Sequence, residues 1–315
     1  YLMQYLPKYI SSAEMDRKIK AFKMGSWVQL FMRMSRFHEN PDLPVVGPWK
    51  TVAPITGDVF SLERNAYYFA VDPEGNQLPY IDRIVMHLVE DMEVFNTRVI
   101  SGEVDMQHRH VLLDKIPVLK REAKRGNYRV LLWPNLGGSD AAVFVNQTWQ
   151  GDPEIEKLLR SHDFRIALSL AIDREEIKES IFLGIGQPRT FIPPHGHMFY
   201  PGPEYENKYI ERNLFKANEI LDRLGLEKKA KNGYRLRTDR KEPLVISLAV
   251  LSRTFLNFEG IGELVVNHWK DIGINVYLKV EERSLFFARV RKNDQQLPLW
   301  TEPTPNPWAY PETTV

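Results

Sequence analysis

Residues 244–280, LVISLAVLSRTFLNFEGIGELVVNHWKDIGINVYLKV, decide the fold. They open with an apolar strand over 244–251. A helix then covers 257–272, with Ile261, Leu264, Val265 and Ile272 on one face, and stops at Gly273. After the glycine, Ile274, Val276, Leu278 and Val280 alternate with Asn275, Tyr277 and Lys279, the signature of a half-buried strand. Strand, helix and strand in this order imply an α/β layer with a crossover connection.

The pattern continues on both sides. Downstream, 283–293 reads as a helix and 297–300 as a strand. Upstream, a helix over 213–224 (Leu214, Ala217, Ile220, Leu221, Leu224) is closed by Gly225. Three short helices precede it. Asp152-Pro153 opens one over 154–160, Asp163 caps one over 164–172, and Asp173 with Glu176 forms a capping-box pattern for the third, which stops at Gly184. The loop 186–203 holds five prolines and is too long for a plain connector, so it is expected to lie over another surface. Strands are expected over 141–146 and 128–133, with the domain crossover at Pro134.

The first part of the chain reads as two helices within 13–37, divided at Gly25-Ser26, with Ser26 capping the second. A proline-rich connector over 40–48 follows. Strands are expected over 60–64, 66–71 and 81–89, with a tight turn at 72–76. A helix over 91–100 is stopped by Ser101-Gly102 before a strand over 103–107, and 112–125 is a basic amphipathic helix ending at Gly126. Residues 313–315 follow a strand and a proline-rich turn without a closing element, so the chain reads as cut there.

The 315 residues, 43% of them hydrophobic, suffice for about two domains. Lys and Arg number 42 against 41 Asp and Glu, so no global positive field attracts phosphate backbones, and nucleic acid is not expected as a partner. No run approaches the ~18 apolar residues of a membrane span. The absence of cysteine removes disulfides, thiolate nucleophiles and cysteine-based zinc sites.

Two histidine pairs, His108 with His110 and His195 with His197, would share a face on a strand and invite a metal reading. The plainer account, histidines packed in loops or solvated, is preferred, so no metal or other cofactor is expected. Gly184-Ile185-Gly186 follows a helix and leads into Gln187-Pro188-Arg189, which cannot open the helix a dinucleotide loop requires. The basic clusters at 119–129 and 228–240 read as a solvated helix face and a polar hairpin loop. Residues 300–310 differ. Trp300, Glu302, Asn306, Trp308 and Tyr310 gather aromatics, a carboxylate and an amide on a proline-stiffened backbone, which suits a ligand platform because preset φ angles reduce the cost of ordering.

Taken together, several segments resemble one family. Gly47-Pro48-Trp49-Lys50, Leu62-Glu63-Arg64-Asn65 with Tyr67-Tyr68, Pro79-Tyr80-Ile81-Asp82-Arg83-Ile84 and Ser101-Gly102-Glu103-Val104-Asp105 are similar in order and spacing to family 5 extracellular solute-binding proteins. The most specific stretch is Asp163-Phe164-Arg165-Ile166-Ala167-Leu168 with Ala171-Ile172-Asp173-Arg174. Ile192-Pro193-Pro194, residues 216–221 and residues 269–276 continue the match. The first 44 residues resemble an insertion of the oligosaccharide- and peptide-binding branch.

The resemblance implies an α/β, type II periplasmic-binding-protein-like fold with two lobes and mixed sheets flanked by helices, incomplete at both termini. Residues 1–133 would form part of lobe I with a helical insertion, and 134–315 lobe II. It further implies a monomeric, non-enzymatic receptor outside the cytoplasm, periplasmic or extracellular, with a lipid anchor as one option. The receptor would enclose an oligopeptide or oligosaccharide by hinge closure and deliver it to the membrane permease of an ABC importer. In peptide-binding relatives a Trp is followed by a carboxylate that pairs with the peptide amino terminus; here Trp300 matches the Trp and Pro303 stands where the carboxylate is expected. Peptide and oligosaccharide both stay open. Two other uses are weighed: an effector-sensing domain of a regulator with the same fold, and a glycoside hydrolase, whose carboxylate pair sequence alone cannot locate.

Overall fold

The computed structural model describes residues 1–133, 138–252 and 255–302. They pack as two compact units, divided between Asp91 and Met92. Residues 92–133 pack with the second unit.

The first unit begins with a 3-10 turn, Leu2–Tyr5, followed by α1 (Ser12–Ala21) and α2 (Trp27–Ser35). Ser11 and Ser26 cap the helices by accepting the backbone N–H of Glu14 and Gln29. Leu30 and Met34 of α2 are buried with Tyr5 and Met15, while Trp27 on the same helix is exposed. Three antiparallel strands follow in spatial order: β1 (Trp49–Ala53), β2 (Val59–Arg64) and β3 (Arg83–His87). Phe60 and Leu62 alternate into the buried side, as the period-2 rule requires. Between β2 and β3, Asp72 Oδ1 accepts the N–H groups of Glu74 and Asn76, which builds the expected turn.

In the second unit, α3 (Met92–Ser101), a 3-10 turn at Leu113–Lys115 and α4 (Ile116–Glu122) lead to β4 (Ser139–Val143). The helices α5 (Pro153–Arg160), α6 (His162–Ala171), α7 (Arg174–Ile181), α8 (Pro203–Glu206) and α9 (Leu214–Arg223) follow. The unit ends with β5 (Val245–Leu251), α10 (Phe258–Asp271), β6 (Asn275–Glu281), α11 (Arg283–Arg291) and β7 (Leu297–Glu302). The sheet order is β4-β7-β5-β6, with β5 parallel to both β6 and β7, and β4 antiparallel to β7. The expected crossover is thus present, with α10 carrying the chain from β5 to β6.

Burial explains why β5 lies inside this sheet. Ile246, Leu248, Ala249, Val250 and Leu251 have almost no exposed surface, so both of its faces are covered. The helix α10 lies close on the sheet at Gly262, where a Cβ would stand 2.8 Å from Val250 Cγ1 and 2.9 Å from Leu278 Cδ1. Trp269, buried on the same helix, donates its indole N–H to the carbonyl of Leu168 at 2.9 Å and ties α10 to α6. His268 adds a polar link. Its Nδ1 accepts the N–H of Asp173 and its Nε2 contacts Glu176 Oε2 at 2.8 Å, so Glu176 turns to the imidazole instead of closing a capping box on Asp173.

Several expectations are corrected. Residues 66–71, 103–107 and 128–133 form no strand; within them Val71 makes only an isolated bridge to Gln77, and Tyr67 and Phe69 are largely exposed. The cap of α6 is Ser161, which accepts the N–H of Phe164, and Asp163 sits in the first turn. The basic stretch 228–240 is not simply a solvated loop. Arg235 is buried and donates to the carbonyls of Ile272 and Leu226 and to the side chains of Asn218 and Asp222, and Arg237 pairs with Asp152 and Asp239. Neither histidine pair lies on a strand, and no cluster of three metal-ligating side chains occurs among the described residues.

Candidate functional site

The parallel strands β5, β6 and β7 point their carboxyl ends the same way, and ligand crevices in open α/β sheets form at such ends. Each strand delivers aromatic or cationic side chains there. Past β5 come Phe255 and Phe258, past β6 come Arg283 and Phe287 on the first turns of α11, and β7 itself carries Trp300.

Trp300 is half-buried opposite Ala142 of β4 and forms the centre of the cluster. Phe258 stacks on it with ring centroids 5.2 Å apart. Phe255 and Phe287 meet it edge-on at 5.4 and 5.2 Å. The guanidinium carbon of Arg283 lies 5.4 Å from the Trp300 centroid and 5.5 Å from that of Phe287. Edge-to-face pairs contribute about 0.5–1.5 kcal/mol each beyond their buried area, so the indole is held in place by its neighbours. Arg283 stays exposed, yet the two rings beneath fix where its charge stands.

The chain before α4 adds His110. Its imidazole stacks on Phe255 at 6.4 Å with the planes 15° apart. Its backbone has a φ of +67°, a region that non-glycine residues rarely adopt. The Nε2 atom is shielded from solvent and has no hydrogen-bond partner. Burial, and then the nearby charges of Arg109 and Arg283, push the His110 pKa below its ordinary value, which favours the neutral ring.

Of the residues singled out in the sequence, Trp300 therefore lies in this cluster. Glu302 is the last residue of β7, its backbone opposite Ser139. Asn306, Trp308 and Tyr310 lie outside the described residues. Sequence reasoning missed His110, Phe255, Phe258, Arg283 and Phe287 as parts of a site. The available signal was topological: the residues that leave the carboxyl ends of parallel strands line the crevice between them.

Two concavities lie away from this cluster, and both are shallow. A groove of about 570 Å³ in the first unit is lined by Met24, Met32, Arg33, Arg36 and Glu39 among others, and Arg36 and Glu39 pair with each other at 2.8 Å. A recess of about 210 Å³ in the second unit lies between Phe191, Ile192, Tyr205 and Tyr209, with the Lys208 ammonium 5.4 Å from the Tyr209 centroid. Neither stands at the end of a parallel strand pair.

The fold recurs among solved structures. An oligopeptide-binding protein OppA aligns with a TM-score of 0.63 at 37% identity, covering 96% of this chain and 48% of that one. The periplasmic binding protein MelB from Agrobacterium fabrum C58, in complex with stachyose, aligns with a TM-score of 0.68 at 22% identity, covering 97% and 44%. The architecture is thus that of the type II periplasmic binding proteins.

In sequence, the periplasmic alpha-galactoside-binding protein of Rhizobium meliloti (strain 1021) is 30% identical over 208 residues, which is 62% of this chain and 29% of that protein. Residues 24–315 match the bacterial extracellular solute-binding proteins, family 5 Middle, and the chain belongs to that family. It spans less than half the length of these relatives.

Proposed function

We propose that the chain is part of a receptor that captures an oligopeptide or oligosaccharide by hinge closure and presents it to the membrane permease of an ABC importer. Residues 1–133 contribute to one lobe and 134–315 to the other, and the receptor works outside the cytoplasm as a monomer, with a lipid anchor as one means of retention. It binds without turnover. The observation that carries this reading is the cluster around Trp300 at the carboxyl ends of β5, β6 and β7, in a chain that belongs to a solute-binding family. Aromatic faces fixed by their neighbours enclose a ligand at a low cost in side-chain entropy.

Relatives support both ligand classes, one being named for oligopeptides and others for alpha-galactosides or solved with stachyose. A thermal-shift screen of the full chain against di- to pentapeptides and neutral oligosaccharides tests the reading. A ligand at 100 times its Kd adds ~2.7 kcal/mol of stability and raises Tm by several degrees. No shift with either class would remove the proposal.

A further inference from the structure

The sign of charge around Trp300 is the starting point. Arg283 is exposed, its guanidinium stands over Trp300 and Phe287, and no carboxylate among the described residues pairs with it. The other arginines of α11 differ, since Arg289 is paired with Glu281 and Asp294. Nearby Glu282 is engaged as the cap of α11, accepting the N–H groups of Ser284 and Leu285.

A second, independent observation points the same way. His110, stacked on the Phe255 that meets Trp300, keeps a solvent-shielded Nε2 without a partner, a condition shared among the described residues by Arg189 Nε and Gln295 Oε1, neither of them in this cluster; such an atom calls for an explanation, and a ligand group is one. The groups that act on His110 are Arg109 on its own segment and Arg283 on α11, both positive. Cation, orphaned imidazole and aromatic walls thus converge from four segments: the chain before α4, the β5–α10 turn, α11 and β7.

On the solute-binding reading, on which this inference rests, we propose that the Trp300 cluster receives an anionic group of the solute, with Arg283 as its charge partner and His110 Nε2 as a second hydrogen-bonding group. The chemistry is a carboxylate flanked by apolar surface. A guanidinium fork holds such a group through two parallel N–H···O bonds, and the aromatic floor shields them from water. A peptide carboxyl terminus and a uronic acid both present it. This is the reverse of a site that pairs its own carboxylate with a ligand ammonium.

The test is isothermal titration calorimetry of the full chain with two matched pairs: tri- to pentaalanine free acids against their C-terminal amides, and digalacturonate against neutral galactobiose. In one pair the acid is expected to bind at least about tenfold more tightly than its neutral partner, the size of one charge-assisted contact. The pair that shows the preference names the source of the carboxylate. R283Q is expected to bring acid and neutral affinities to within about threefold of each other, and R283K to retain part of the difference. Equal binding of acid and neutral forms by the unaltered chain overturns this proposal and leaves the solute-binding reading standing. A preference that survives R283Q overturns the role of Arg283. Binding by no member of either pair overturns the solute-binding reading and this proposal together.

Discussion

Arg235 shows what a single residue decides in this chain. Its guanidinium is 1% exposed and donates to the carbonyls of Ile272 and Leu226 and to the side chains of Asn218 and Asp222, which joins the end of α9 to the turn after α10. Asp222 is half-exposed and Asn218 partly exposed, whereas Leu226 and Ile272 are fully buried, so their carbonyls depend on the arginine to be satisfied. Replacing it by Met keeps the volume roughly constant and leaves those buried acceptors without donors, a loss of about 3 kcal/mol. Urea unfolding of R235M should show a lower midpoint with an unchanged slope, and a midpoint equal to that of the unaltered chain would refute this account. The same residue was read from sequence as part of a solvated basic loop. Composition could not say otherwise, because the acceptors come from two other segments, 218–226 and the turn at Ile272.

At the level of elements, Gly262 and Asp152 set how helices meet the sheet and how they start. Ala at position 262 would gain about 1 kcal/mol of helix propensity. Its Cβ would also stand within 3.0 Å of methyl groups of Val250 and Leu278 on neighbouring strands, and overpacking of this kind costs about 1–3 kcal/mol. The clash wins, so G262A should lower Tm by a few degrees, and an increase in Tm would show that α10 can shift outward.

Asp152 caps α5 through the N–H groups of Glu154 and Ile155 and also pairs with Arg237, which holds its pKa down at about 2 against an ordinary 3.8. A carboxylate lowered on folding stabilises the protein fully above pH 3.8, and the contribution fades as pH falls through about 2. D152N keeps the cap and loses the charge, at about 1 kcal/mol near pH 7 once solvent screening is allowed for. The difference from the unaltered chain should shrink in denaturation curves as pH falls below 3.8 and be lost only below about pH 2, and a constant difference across pH would sink the argument.

These elements also show what the sequence disclosed. Caps such as Ser26, Asp152, Asp173, Asn213 and Asn257 act within three residues, and the apolar run of β5 declares its own burial, so their elements were legible. The strands expected over 66–71, 103–107 and 128–133 had suitable composition, but a strand exists only when a partner lies beside it, and pairing is not local. For the same reason Trp300 could be picked out alone, while the residues that surround it could not.

For the whole molecule, the issue is whether capture of a solute requires movement. The side chains gathered around Trp300 lie within the second unit. One-sided contact gains little, because the solute keeps much of its surface in water and the entropy of immobilisation is still lost. A receptor that gains affinity by enclosing its solute must favour a closed form in which further contacts are made, and the ligand shifts the population only by the difference in its affinity for the two forms. Small-angle X-ray scattering of the full chain, with and without a ligand that raises its Tm, should therefore show a smaller radius of gyration in the bound state. If the radius is unchanged while Tm rises, binding occurs at a preformed single-sided site and the hinge account fails. The two measurements are independent, since ligand-linked stability reports affinity and scattering reports only shape.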